Sequence, residues 1–244
     1  MSSLLLRCAG LILGVMVSMN VYSHSGIINA PKVSSSNTYI PVINNTNNWA
    51  GYFVSGQSIT SVSGSFVVPS SRSVDSNISA NSTWIGIGGT NSSDLIQTGV
   101  QTVIDNGEVT NSAFYEILPA KSVVIPNLII SPGDQIDASI ILVSKNLWSV
   151  SIKDTNTGAS YNTLIDYSSS QSSAEWIEED PNSGTSELAL DNFGIASFSS
   201  IYFHSDMKSK SQMGQYNLVD TDNKKMAQVS SYKSGSFNVT RINL

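Results

Sequence analysis

Cysteine is nearly missing from this 244-residue chain, which has only Cys8, and histidine is limited to His24 and His204. Thiol–imidazole pairs and zinc sites built from several His or Cys ligands are therefore excluded as the working chemistry. Charge is scarce as well: 12 Lys+Arg and 18 Asp+Glu make up 12% of the chain, a net charge of -6, about half the density usual in soluble proteins. No Lys/Arg cluster exists to neutralise phosphates, so nucleic acid and anionic membranes are excluded as partners. Sustained helical periodicity is missing too, save for a turn or two around Met213–Val219. In place of charge stands serine, close to one residue in five. The surface must be built from hydroxyls and amides.

Residues 1–23 carry Arg7 as their only charge, run through Leu11, Ile12, Leu13, Val15, Met16 and Val17, and end in Val21-Tyr22-Ser23. This is the pattern of a secretory signal peptide. The apolar run is shorter than the roughly 20 residues a membrane span needs, so a secreted chain, extracellular or periplasmic, without stable membrane association is expected. Cleavage would remove Cys8, and a disulfide-free domain must be held by its core alone. Residues 24–46, polar and broken by Pro31 and Pro41, read as a leader or short pro-segment. The domain is expected over 47–244, with no feature that points beyond a monomer.

From Trp49 onward, apolar residues alternate with polar ones in segments of about five to nine residues separated by Gly, Pro, Asn and Ser. Gln135–Val143 alternates Ile136, Ala138, Ile140 and Leu142 after the turn Ser131-Pro132-Gly133-Asp134. Leu147–Lys153 and Tyr161–Tyr167 form a predicted hairpin about Asp154-Thr155-Asn156-Thr157-Gly158. Other strands are expected at Ser63–Val68, Ser82–Gly88, Leu95–Ile104, Ala113–Leu118, Ser173–Glu178, Ile195–Phe203 and Ser236–Ile242. About a dozen strands with no helical crossovers imply an all-β, two-sheet antiparallel sandwich.

His204 lies in the strand-like run Ile201-Tyr202-Phe203-His204 and reads as an ordinary, partly exposed histidine; no G-x-S-x-G elbow accompanies it. S-x-x-K at Ser205–Lys208 and Ser230–Lys233 is what abundant serine produces by chance, and on a strand its ends face opposite sides. The aspartates lack the order of a calcium loop. No cofactor and no metal is called for. Two segments stand out. In Leu95–Ile104 the even positions Ile96, Thr98, Val100, Thr102 and Ile104 suit a core, which puts Gln97, Gly99 and Gln101 on the other face. In Ser173-Ala174-Glu175-Trp176-Ile177-Glu178-Glu179-Asp180, Glu175 is set between Ala174 and Trp176, where desolvation would raise its pKa. Alone, each segment is also consistent with a solvated sheet face or strand end.

Taken together with Asn48-Trp49-Ala50-Gly51-Tyr52, Trp84-Ile85-Gly86-Ile87-Gly88-Gly89, Gln97-Thr98-Gly99-Val100 and Phe114-Tyr115-Glu116-Ile117-Leu118-Pro119, these segments occur in the order seen in glutamic peptidases, the eqolisin or G1 family. The chain resembles that family from about Asn47 onward. The resemblance implies a concanavalin-like sandwich and an endopeptidase acting on polypeptides with a Glu175/Gln97 dyad. Glu175 would be general base and then general acid, and Gln97 would orient water and hold the oxyanion. Trp49, Phe114 and Trp84 would line the substrate site, although core packing accounts equally well for Trp49 and better for Trp84, Trp148 and Trp176. Such chemistry suits acid conditions, since an unperturbed Glu titrates at about 4.3.

Departures accompany the resemblance. Fungal members carry aspartates at the places of Gly88, Gln101 and Ser112, which implies a less acidic optimum and a weakened activity; the disulfides expected of some fungal members cannot form, which implies a bacterial or otherwise divergent branch. Two other functions fit a sandwich. One is a lectin, or a glycosidase using Glu175 and Glu116, whose carboxyls would then stand about 5–10 Å apart across a cleft; the other is a secreted binding protein without catalysis.

Overall fold

A computed structural model describes residues 42–242 except 75, 182–187 and 207–210. The signal segment 1–23, nearly all of the leader, and Lys208 lie outside the described residues. The elements are β1 Val42–Thr46, β2 Trp49–Ser55, β3 Ile59–Val67, β4 Ile78–Gly88, β5 Leu95–Asp105, β6 Glu108–Ile117, β7 Val123–Ile129 and β8 Gln135–Ser144. They continue with β9 Leu147–Asp154, β10 Ser160–Asp166, β11 Ser173–Glu179, β12 Ala189–Leu190, β13 Ile195–Ser205, β14 Gln212–Leu218, β15 Ala227–Val229 and β16 Phe237–Arg241.

They form two sheets. One runs β1-β14-β2-β11-β4-β5-β6-β7, with β12 added beside β4; the other runs β10-β9-β8-β3-β13-β16-β15. Pairing is antiparallel except for β1 with β14 and β12 with β4. The all-β sandwich expected from the alternation is present. Ile85, Ile87, Ile96 and Val100 of the first sheet pack with Val62, Phe66, Ile136, Ile140, Val150, Ile152 and Phe198 of the second. Trp148 and Trp176 are core residues: the Trp176 indole N–H crosses to the Ser63 carbonyl at 2.8 Å, and that of Trp148 donates to Tyr167 O at 3.0 Å. A buried indole needs such an acceptor.

The predicted hairpin between β9 and β10 closes on Asp154, whose carboxylate accepts from Asn156 N at 2.8 Å and Thr157 Oγ1 at 2.5 Å. Gly158 completes it at a φ of +80°, a conformation that favours glycine.

Two expectations are corrected. The helical turn near Met213–Val219 is strand β14, flanked by β1 and β2. It is buried on both faces, from Met213 and Gln215 beside Val54 and Tyr52 to Gly214 and Tyr216 beside Phe53 and Gly51. A strand covered on both sides loses the apolar–polar alternation by which strands are recognised. Val42–Thr46, read as leader, is edge strand β1, its exposed residues held by backbone pairing with Gly214–Leu218 and not by side-chain burial.

Candidate active site

Alternation places the functional side chains. Because Ala174 and Trp176, Ile85 and Ile87, and Ile96 and Val100 turn into the core, Glu175, Gly86 and Gln97 must turn to the opposite face of their strands. Register then aligns Phe53, Glu175, Gly86, Gln97 and Glu116 in one row across β2, β11, β4, β5 and β6. Residues opposite one another in an antiparallel sheet share a face. Glu175 and Gln97 are thus separated only by Gly86, with their Cα atoms about 10 Å apart over two strand spacings. A Cβ on Gly86 would come within 2.9 Å of Leu95 Cδ1 and Trp84 Cζ3. Leu95 and Trp84 thus close over Gly86, in the space that a side chain there would need.

Both polar groups are buried and only half satisfied. Glu175 Oε1 accepts from Thr90 Oγ1 at 2.9 Å, whereas Oε2 has no hydrogen-bond partner among the described residues. Gln97 Nε2 donates to Glu116 Oε2 at 2.5 Å, and Gln97 Oε1 is likewise without a partner. Burial pushes the Glu175 carboxyl up to about 8, against the opposing hydrogen bonds of Ser173 and Thr90, and the negative charge of Asp94 adds to the rise. Glu116 is also raised by burial, partly offset by its bonds from Gln97 and the Ser122 amide.

Trp49, Trp84 and Phe114 share this face with Phe53, Leu95, Ile177, Tyr216 and Leu118, in a cluster separate from the inter-sheet core. The Trp49 ring stands edge-on to Trp84 at 5.1 Å and to Tyr216 at 5.8 Å, and Phe53 stacks on Tyr216 at 4.4 Å. Trp84 and Phe114 are buried, so they form the base of the cluster, and half-buried Trp49 forms its rim. Trp84 rests on Gly99 of β5, where a Cβ would lie 2.5 Å from the Trp84 Cβ. Its indole donates to Glu179 Oε2 at 2.7 Å. Glu179 is pushed up to about 8 by burial.

Another carboxylate stands beside Gly88. The Asp94 carboxylate approaches the position of Gly88, its Oδ2 3.0 Å from where a Cβ there would sit. Burial pushes Asp94 up, but hydrogen bonds from Ser92, Ser170 and Ser169 outweigh it and hold the carboxyl below its ordinary value. A fixed negative charge therefore stands near Glu175. Gln101 and Ser112 face each other across β5 and β6 with no carboxylate between them.

His204 lies on β13 of the other sheet, exposed and 3.3 Å from Asp206, remote from this row. Among the described residues, no group of three or more His, Cys, Asp or Glu could hold a metal ion. The position facing Glu175 across Gly86 belongs to Gln97, and Glu116 is bound to Gln97 instead of opposing Glu175, unlike the paired carboxyls of a glycosidase. Sequence reading left Thr90, Phe53 and Tyr216 unassigned. Thr90 and Tyr216 lie 85 and 41 positions from Glu175, and no local pattern signals contact over such distances.

A buried carboxyl and a buried amide thus share one row beside an aromatic cluster on a face of the β-sandwich. A family model described as the peptidase A4 family matches residues 47–241. Aspergillopepsin-2 of Aspergillus niger is 30% identical over 199 residues, covering 70% of this chain and 71% of its own. A solved scytalido-glutamic peptidase with a transition state analog inhibitor has a TM-score of 0.68 at 25% identity, over 80% of this chain and 98% of that one. Aspergilloglutamic peptidase from Aspergillus niger has a TM-score of 0.55 at 26% identity, over 67% of this chain and 99% of that one. The chain belongs to the peptidase A4 family, the glutamic peptidases or eqolisins, and is with them a peptide-bond hydrolase.

Proposed function

We propose that this protein is a secreted endopeptidase in which Glu175 and Gln97 act together on a water molecule. The observation that carries the reading is the row Glu175–Gly86–Gln97, which sets a desolvated carboxyl and an amide on one face with an unpartnered oxygen on each. Ionised Glu175 takes a proton from water through Oε2 as the water oxygen attacks the scissile carbonyl carbon and the carbonyl π pair moves to oxygen. The Gln97 Nε2–H not bound to Glu116 donates to that oxyanion. Collapse re-forms the C=O, breaks the C–N bond and passes the proton from Glu175 to the leaving amine. The carboxyl ends ionised, and no acyl-enzyme forms.

Half-buried Trp49 at the rim offers flat apolar surface to an extended polypeptide, backed by the buried rings of Trp84, Phe114, Phe53 and Tyr216. The signal-like segment at 1–23 supports secretion; processing after it would keep β1, whereas removal of the whole of 24–46 would strip β14 of one of its two neighbours. Burial of Glu175 moves the working range upward from the ordinary glutamate value of about 4.3.

The test is hydrolysis of a denatured protein by the processed chain between about pH 3 and 7. Cleavage unaffected by serine, thiol or metal reagents is expected, with kcat/KM at about pH 6 at least tenfold above that at about pH 3 as the base ionises. No cleavage at any pH, or abolition by a thiol reagent or chelator, would refute the reading.

A further inference from the structure

The loop between β4 and β5 carries a residue that the dyad chemistry does not yet use. Thr90 donates from Oγ1 to Glu175 Oε1 at 2.9 Å, while Glu175 Oε2 is buried and without a partner among the described residues. Resting on the dyad reading above, we propose that Thr90 is a positioning residue that occupies Oε1 of Glu175 and so assigns proton exchange with water and the leaving amine to Oε2.

A carboxylate has two equivalent oxygens and turns about its last bond over a broad range. For a base that must meet water on the Gln97 side, that freedom is a loss, because proton transfer requires hydrogen-bond reach in the reacting geometry. A donor fixed on one oxygen removes it. The Thr90 hydroxyl is itself fixed: its backbone N–H reaches Ser173 Oγ at 3.4 Å, and the next residue, Asn91, donates to Ser55 Oγ at 3.3 Å. Further along the loop, Ser92 Oγ lies 3.3 Å from Ser172 Oγ, and Asp94 Oδ2 accepts from Ser170 N at 2.7 Å. The loop is thus laced to the segment entering β11 through Ser170, Ser172 and Ser173, and to the end of β2 through Ser55.

Several ionisable groups face Glu175 or its partners. Asp94 comes from the loop, Tyr216 from β14, Glu116 from β6 behind Gln97, and Glu179 lies farther along β11. From β2 and β4 the facing residues are Phe53 and Gly86, neither of which titrates. Asp94 is held ionised below its ordinary range and the phenol is raised, so neither changes charge over the acid limb. A donor to the ionised carboxyl favours the ionised form. Its removal must therefore raise the apparent pKa of Glu175 and move the acid limb to higher pH.

The test compares wild type, Thr90→Val, Thr90→Ser and Glu175→Gln as processed chains on a denatured protein, with kcat and KM measured across pH. Glu175 titration is followed in parallel by NMR of the carboxyl carbon. Thr90→Val should lower kcat about tenfold or more with KM within about twofold, and shift both the acid limb and the carboxyl titration upward by about one pH unit, the usual worth of a hydrogen bond to a charged group. Thr90→Ser should restore both. Wild-type kcat and an unmoved limb in Thr90→Val, or equal impairment in Thr90→Ser, would overturn the proposal. An inactive wild type or an active Glu175→Gln would refute the dyad itself; the carboxyl titration then decides the role of Thr90, and an unshifted Glu175 in Thr90→Val overturns it.

Discussion

Gly86, Gln97 and Glu116 set the reactive geometry residue by residue. A methyl group at Gly86 would meet Leu95 and Trp84 at 2.9 Å and intrude between carboxyl and amide. Gly86→Ala is expected to lower kcat/KM about a hundredfold, measured by steady-state peptide hydrolysis, because displacement of reacting groups by about 1 Å has that order of effect. Glu116 accepts the Gln97 amide and so decides which end of it faces inward. The amide cannot turn over without losing that bond from Nε2. Glu116→Ala frees the amide to turn, and kcat is expected to fall about tenfold with KM little changed, the signature of a group acting on the transition state. An unaltered kcat would show that Gln97 needs no such partner.

At the scale of strands, legibility follows from which contacts are local. The alternation of β5 put Ile96 and Val100 in the core and Gln97 and Gln101 opposite them, because one face of the strand meets the second sheet. The same logic exposed Glu175 between Ala174 and Trp176. β14 escaped because Gly214 lies under the Phe53 ring and both its faces are covered, so no period of two survives in Gln212–Leu218. β1 escaped because its residues are exposed and backbone pairing alone holds them. Thr90, Phe53 and Tyr216 share the site through a loop and through pairings between strands far apart in the chain, which composition and spacing do not encode. Core strands bear the stability. Trp176, buried between the sheets with its indole bonded to Ser63, fills a volume that alanine would leave empty. Trp176→Ala is expected to destabilise the fold by about 3–5 kcal/mol, read from the shift of the urea midpoint.

Across the whole molecule, the shortage of charge leaves a few carboxyls buried with little to balance them. Glu178, bonded to Thr83, is held well above its ordinary value by burial, with Asp191 and Glu179 adding to the rise. Burial pushes Asp191 to about 6 and Glu179 to about 8, with Arg241 opposing the rise at Asp191. A carboxyl whose folded pKa exceeds its unfolded one favours folding when protonated. That contribution is complete below the unfolded value of about 4.3 and is lost as pH rises through the folded values. The protein should therefore melt at a higher temperature at about pH 4 than at about pH 8, and a flat or reversed profile in a calorimetric series would contradict this balance. Activity opposes the trend, since Glu175 works in its ionised form and the ionised fraction grows with pH. The account as a whole depends on Glu175 as the proton-transfer group. Its most direct test is kcat/KM of Glu175→Gln, an isosteric change, against wild type at the pH optimum with equal melting temperature as the control for folding. A fall of about 10⁴-fold or more is expected, the scale seen when a principal catalytic group is removed; activity within tenfold of wild type would contradict the account.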